Sequence, residues 1–371
     1  MHPRERFLRA LSGRRPDRVP LELAGFQFAA RCELEKIRDP LRRRIAQRVF
    51  DQMHFRVEIP SSINRMLATP PQRIRSEKRR LPNGNQRTLG TIETPKGKLT
   101  FVSERSLTAG TTWMAKYPVE TEEDIEKIAS VPWELPADLQ RPDPGSLPED
   151  FPLRGILATR ISSPFVCVAG MMKYERFLEM CATSLDRLKE LTAVCEQRIL
   201  DCLKFLLSAP AIEYVWIGGS EWVTPPMASP AIYDALVQDQ ERRLIDYIHH
   251  NSGAMVHIHC HGKVRDALPK MIRRGADFTE PVEPPPDGDI AMADAKRIAA
   301  GRIALGGNIE CRILCNELEA AVEAAVRAAF EGGQERFVLR PTEGPTTHMS
   351  QREHRNYMRM IDVWEELSPL A

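Results

Sequence analysis

His257, His259 and His261 alternate within V-H-I-H-C-H-G at positions 256–262. Successive side chains of a strand point to opposite faces, so the three imidazoles share one face and Cys260 takes the other. Neutral imidazole is a nitrogen donor suited to zinc, and two of them on one strand face can converge on one ion. Such an ion would act as a Lewis acid on a bound group. The competing assignment is that the histidines are polar fillers of a barrel mouth. No C-x-x-C pair adds to the metal signal.

Other chemistry-bearing residues stand at the ends of expected strands. They are Arg160, Glu221 with Trp222, Glu283, Asn308 with Glu310, Arg340 and Glu343. Any one of them could be a helix cap or a loop ion pair. A series of them, strand after strand, points instead to one acidic, histidine-bearing pocket.

The elements that must position these residues alternate. Buried strands are expected at 19–25 (with Glu22 inside), 56–59, 155–159, 214–218, 256–261, 277–279, 303–305 and 337–339. Helical patterns separate them, at 33–53 with a break at Pro40, at 184–207, at 229–250 opened by Ser229-Pro230, and at 350–367. Strand–helix alternation implies a parallel sheet, and seven or eight units over this length favour a closed (β/α)8 TIM-type barrel. In such a barrel the strand C-termini meet at one mouth, where active sites are built. Residues 60–118 break the rhythm. Two strand patterns at 90–94 and 98–103 flank Pro95-Lys96-Gly97, a β-hairpin signature, so this stretch reads as an insertion or lid in a single domain spanning 1–371.

Composition narrows the function classes. The 371 residues are 42% hydrophobic and 28% charged, ordinary for a globular enzyme. A net charge of +1 and the lack of an aromatic-plus-basic cluster argue against a nucleic-acid surface. No apolar run reaches membrane-span length, the N-terminus lacks a signal-like core, and the eight cysteines have no disulfide-scaffold spacing. A cytoplasmic protein acting on a small molecule is expected. Cys311 and Cys315 read as core or cap residues, and His249 and His250 as cations closing a helix C-terminus.

Several short motifs, in this order, carry a resemblance. They are P-R-E-R-F-L-R-A-L-S-G…P-D-R-V-P (3–20), T-P-K-G-K-L (94–99), I-G-G-S-E-W (217–222), H-C-H-G (259–262), E-P-P-P-D-G-D (283–289), G-G-N-I-E (306–310) and R-E-H-R-N-Y (352–357). Together they resemble the uroporphyrinogen decarboxylase superfamily, which implies a (β/α)8 barrel with its site at the strand C-termini. One branch of that superfamily decarboxylates a tetrapyrrole without a cofactor, using an arginine-rich segment near the first strand. Here Glu22-Leu-Ala-Gly-Phe stands there, and Arg14, Arg15 and Arg18 precede the strand. The other branch moves methyl groups between a cobamide (corrinoid) and an acceptor, holding zinc through His-x-Cys-Gly and a late cysteine. His259-Cys260-His261-Gly262 is similar, with histidine for cysteine, and Glu343 is the nearest donor to the late position.

The resemblance therefore implies zinc on His259, His261 and Glu343, with His348 as an alternative to Glu343. It implies Glu221, Glu283 and Glu310 as carboxylates that orient the histidines or take protons, and Arg160, Trp222, Asn308 and Arg340 as substrate contacts. A corrinoid, free or on a partner protein, would be the co-substrate, and a homo-oligomer is compatible with the sequence. The alternatives are a cofactor-independent decarboxylase of a polycarboxylate, a hydrolase using metal-activated water, and a non-enzymatic corrinoid- or tetrapyrrole-binding protein.

Overall fold

The computed structural model describes residues 1–107, 111–208 and 212–370. Seven parallel strands form one curled sheet in sequence order: β1 (Phe55–Pro60), β6 (Gly155–Ser162), β7 (Tyr214–Gly218), β8 (Met255–His259), β9 (Phe278–Glu280), β10 (Ala304–Ile309) and β11 (Phe337–Pro341). The segment 19–23 supplies the eighth stave. Leu21 bridges Leu339 in parallel, the Glu22 N–H donates to the Leu339 carbonyl at 3.0 Å, and the Leu339 N–H donates to that of Pro20 at 2.9 Å. The (β/α)8 TIM-type architecture expected from the alternation is the one observed.

The insertion is larger than a hairpin. Between β1 and β6 the strands β2 (Ile74–Arg80), β3 (Gln86–Thr94), β4 (Gly97–Arg105) and β5 (Thr112–Lys116) form a four-stranded antiparallel sheet. The expected hairpin is its centre, and the basic run near Arg75 is an exposed edge strand. Charged side chains at such an edge discourage edge-to-edge association.

Pro40 does not kink a long helix; it starts a new one. Helices Arg31–Glu35 and Pro40–Val49 are separate, and Asp39 caps the second by accepting from the Leu41 and Arg42 N–H groups. Proline at the first helical turn needs no intrahelical donor, so the break falls before it.

The opening helix, Pro3–Ser12, closes the N-terminal end of the barrel. Phe7 stacks on His54 at 3.9 Å and meets Tyr214 and Phe278 at 6.0 Å each. With Leu11 it belongs to a small apolar cluster of inward side chains, Ile156, Ala158, Ala304 and Val338 among them. Gly13, in the left-handed region at φ 75°, ends the helix and turns the chain toward the first stave.

Candidate active site at the barrel mouth

Strand period places Met255, His257 and His259 of β8 toward the barrel interior, and Cys260 is fully buried outside it. Above the apolar plug lies a closed ring of polar side chains. Glu22 meets Arg56 at 2.8 Å and Arg340 at 2.9 Å. Arg340 also meets Glu280 at 3.1 Å. Glu280 lies 2.9 Å from His257 Nε2, in a bent approach, and His257 Nδ1 lies 2.6 Å from the Tyr214 hydroxyl. Tyr214 returns to Arg56 at 3.5 Å, under the Arg56 guanidinium. Gly306 makes room for this ring: a Cβ there would come within 2.8 Å of Glu280 Cβ. Two glutamates face two arginines, so the interior is charge-balanced, as burial demands.

His54 and His257 are held neutral. Burial lowers His54 to about 3 and His257 to about 4. Unfolded histidine takes up its proton near pH 6.5, whereas these two resist it in the folded state, so between those values the unfolded chain binds more protons. Stability of the metal-free protein is therefore expected to fall as pH drops from 6.5 toward 4, by about 1.4 kcal/mol per pH unit for each histidine. Burial alone would raise Glu22, but Arg56 and Arg340 hold it at about 2, adding a further loss from pH 4.5 down to about 2. Urea midpoints at pH 7.0, 6.0 and 5.0 check this; constant midpoints would mean that these histidines are solvated.

At the mouth, both outer histidines are oriented through Nδ1. His259 Nδ1 lies 2.7 Å from Glu280 Oε1, and His261 Nδ1 lies 3.1 Å from Glu283 Oε1. Glu283 also accepts from the Gly262 N–H, in a turn where Gly262 has φ 81°. A carboxylate on Nδ1 fixes the Nδ1–H tautomer and leaves the Nε2 lone pair for a ligand. The two rings meet edge to face with centroids 4.6 Å apart. The His259 ring lies 5.1 Å from that of Trp216, on which Arg160 sits in turn. Gly218 permits this, because a Cβ there would be 2.0 Å from the Trp216 ring. Among the described residues, one group of three potential ligands brings its atoms within 4.8 Å of one another: His257, His259 and Glu280.

Residues 144–364 match the family model for uroporphyrinogen decarboxylase (URO-D), which is more than half of the chain. The chain belongs to the uroporphyrinogen decarboxylase family. Its fold is similar over 99% of both chains to a methyltransferase from Methanosarcina mazei, with TM-score 0.62 and 14% identity, a likeness of fold alone. A B12-independent methionine synthase from Shewanella sp. W3-18-1 is more remote, at TM-score 0.38 and 8% identity over 80% of this chain and 76% of that one. No curated protein matches the sequence. Among the described residues, no helix is long and apolar enough to cross a membrane.

Within this family barrel the residues singled out from sequence are partly assembled. His259, His261 and Glu283 come together. Glu221 lies close enough to His261 for its charge to favour the protonated ring. Asn308 is buried near the end of β10. Glu310 is also buried there, but paired with Arg312 at 2.6 Å. Arg160 is half exposed and paired with Glu58 at 2.7 Å. Arg340 is buried between Glu22 and Glu280 and so is already engaged. Glu343 is exposed beyond β11, where its charge is felt by Cys311 and Cys315, and it is outside the three-residue cluster. His348 is exposed beside a different cavity, near Arg38 and Arg42. The members not assigned from sequence are Glu22, Arg56, Tyr214, His257 and Glu280. Strand parity held the signal for two of them: Glu280 pairs in register with His259, and His257 shares its face.

Proposed function

We propose that this member of the family is a metal-dependent methyltransferase of the corrinoid type, with His259 and His261 as metal ligands through Nε2. The observation that carries this reading is the pair of Nδ1 contacts to Glu280 and Glu283, the arrangement expected behind metal-bound histidines. Neither Nε2 has a protein partner among the described residues. The donor set of two imidazoles with carboxylates around them fits zinc. When bound, the metal would lower the pKa of the methyl acceptor, a thiol or hydroxyl, and supply it as an anion at neutral pH. The chain's own part is to hold that acceptor at the mouth and to take its proton on a nearby carboxylate, Glu221 or Glu283. A corrinoid, free or on a partner protein, would present the methyl group from the open side.

Two ligand sets are weighed. In the one implied by resemblance, Glu343 joins His259 and His261. The inner cluster favours a second arrangement, in which Glu280 and His257 join His259.

Metal analysis of the purified protein tests the proposal. Near one zinc per chain is expected, falling to background in a His259→Ala, His261→Ala variant. Retention in His261→Ala with loss in His257→Gln would select the inner arrangement. Absence of metal after zinc-supplemented expression would sink the methyltransferase reading. A decarboxylase acting on a polycarboxylate would then lead. One observation favours it: Arg38 and Arg42 line a cavity of about 600 Å³ with His348, and neither arginine forms an ion pair among the described residues.

A further inference from the structure

Past the C-terminal end of β7, the strand that pairs with β8, lies a pocket of about 380 Å³ lined by Tyr117, Met172, Tyr174, Glu221, Trp222 and Met227. Its walls come from three loops on the mouth side. Tyr117 follows the antiparallel insertion, Met172 and Tyr174 follow β6 and its helix Pro164–Ala169, and Glu221 to Met227 follow β7. A parallel bridge between Val119 and Met172 ties the first two together. The Tyr174 hydroxyl is used internally, donating to the Trp222 carbonyl, and the two rings stand edge to face at 5.8 Å. The lining is aromatic and thioether surface with one acidic residue, Glu221.

That carboxylate has no counter-ion. Glu221 forms no ion pair among the described residues, and its Oε2 is buried without a hydrogen-bond partner. An uncompensated carboxylate favours a positive charge beside it, and tyrosine and tryptophan ring faces attract cations as well. Trp222 already displays this preference, with Arg65 placed 5.2 Å over its ring. That ring surface is already engaged by Arg65, so the charge preference of the pocket rests on Glu221 and on the remaining aromatic surface of Tyr174 and Tyr117. A polyanion is disfavoured beside the Glu221 carboxylate.

We propose that this pocket binds an organic ammonium ion with an apolar body, its nitrogen turned to Glu221 and its body against Trp222, Tyr174 and Met227. Because Glu221 follows β7, whose Gly218 is in register with His259 of β8, such a ligand would hold its methyl-accepting group toward the histidines. That role rests on the methyltransferase reading; the binding does not.

Three probes of one shape and different charge test it: 4-methylbenzylamine, 4-methylbenzyl alcohol and 4-methylbenzoate, titrated calorimetrically into the full-length protein. The amine is expected to bind at least about tenfold more tightly than the other two. Glu221→Gln should erase that preference, and Trp222→Ala should weaken the amine by about fivefold or more. Equal or tighter binding of the benzoate or alcohol would overturn the proposal, as would an unchanged amine affinity in Glu221→Gln. Met227→Ala, at an exposed rim position, offers a variant whose folding is not at issue and should also weaken the amine. Repeating the amine titration in His259→Ala, His261→Ala separates the two ideas. Amine binding kept while metal is lost supports the pocket whatever the chemistry. Metal and methyl transfer present in the parent with no amine binding refutes the pocket alone.

Discussion

Replacing Arg340 by methionine is expected to destabilise the protein by about 3–5 kcal/mol. Arg340 is buried, as are both of its partners, Glu22 at 2.9 Å and Glu280 at 3.1 Å. Methionine matches its apolar length but leaves two carboxylates in a low-dielectric interior facing one remaining arginine, Arg56. The loss is the cost of that stranded charge and not the net worth of the pair, which burial largely cancels. A comparison fixes the scale: removing Arg160, exposed and paired with Glu58, should cost under about 1 kcal/mol. Denaturant melts of Arg340→Met, Arg160→Met and parent provide the measurement. Adding Glu280→Gln to Arg340→Met should recover part of the loss, since it removes one stranded charge. An Arg340→Met variant within about 1 kcal/mol of the parent would show that water reaches the ring.

The second large effect is on metal affinity. Glu283→Gln should weaken zinc binding about 10- to 100-fold while leaving the melting curve of the metal-free protein nearly unchanged. The glutamine amide can still meet the Gly262 N–H, but it no longer offers a charge to the His261 Nδ1–H. The imidazole then loses both its orientation and the basicity lent by the carboxylate. Competition against a chromophoric chelator measures the affinity directly. Equal affinity in variant and parent would place His261 outside the ligand set and turn attention to His257, His259 and Glu280.

How much of this was legible before the fold follows from where each signal sits. The barrel was legible because it rests on long-range alternation, and strands such as Tyr214–Gly218 and the helix Leu185–Leu207 are strongly patterned. The mouth was half legible. His259, His261 and Glu283 lie within 25 residues of one another, and strand-end position finds them. The buried ring was not, because its members come from staves far apart in sequence: Glu22 and Arg340 are 318 residues apart. A glutamate inside an expected strand signals only that some partner exists. Glu343 stands differently. Its position after the last strand marks it as a candidate ligand, and in the fold it is exposed and outside the inner cluster of His257, His259 and Glu280. The insertion was underread because the flanking strands β2 and β5 are largely exposed and lack an apolar alternation to announce them.

The helix Pro3–Ser12 has a consequence for traffic through the molecule. With Phe7 and Leu11 filling the floor, the barrel is stopped at its N-terminal end, opposite the histidines. That floor denies the histidines an approach from below. On the methyltransferase reading proposed above, a bulky methyl donor seated over the mouth would shut in a small acceptor, so the small guest would enter first and leave last.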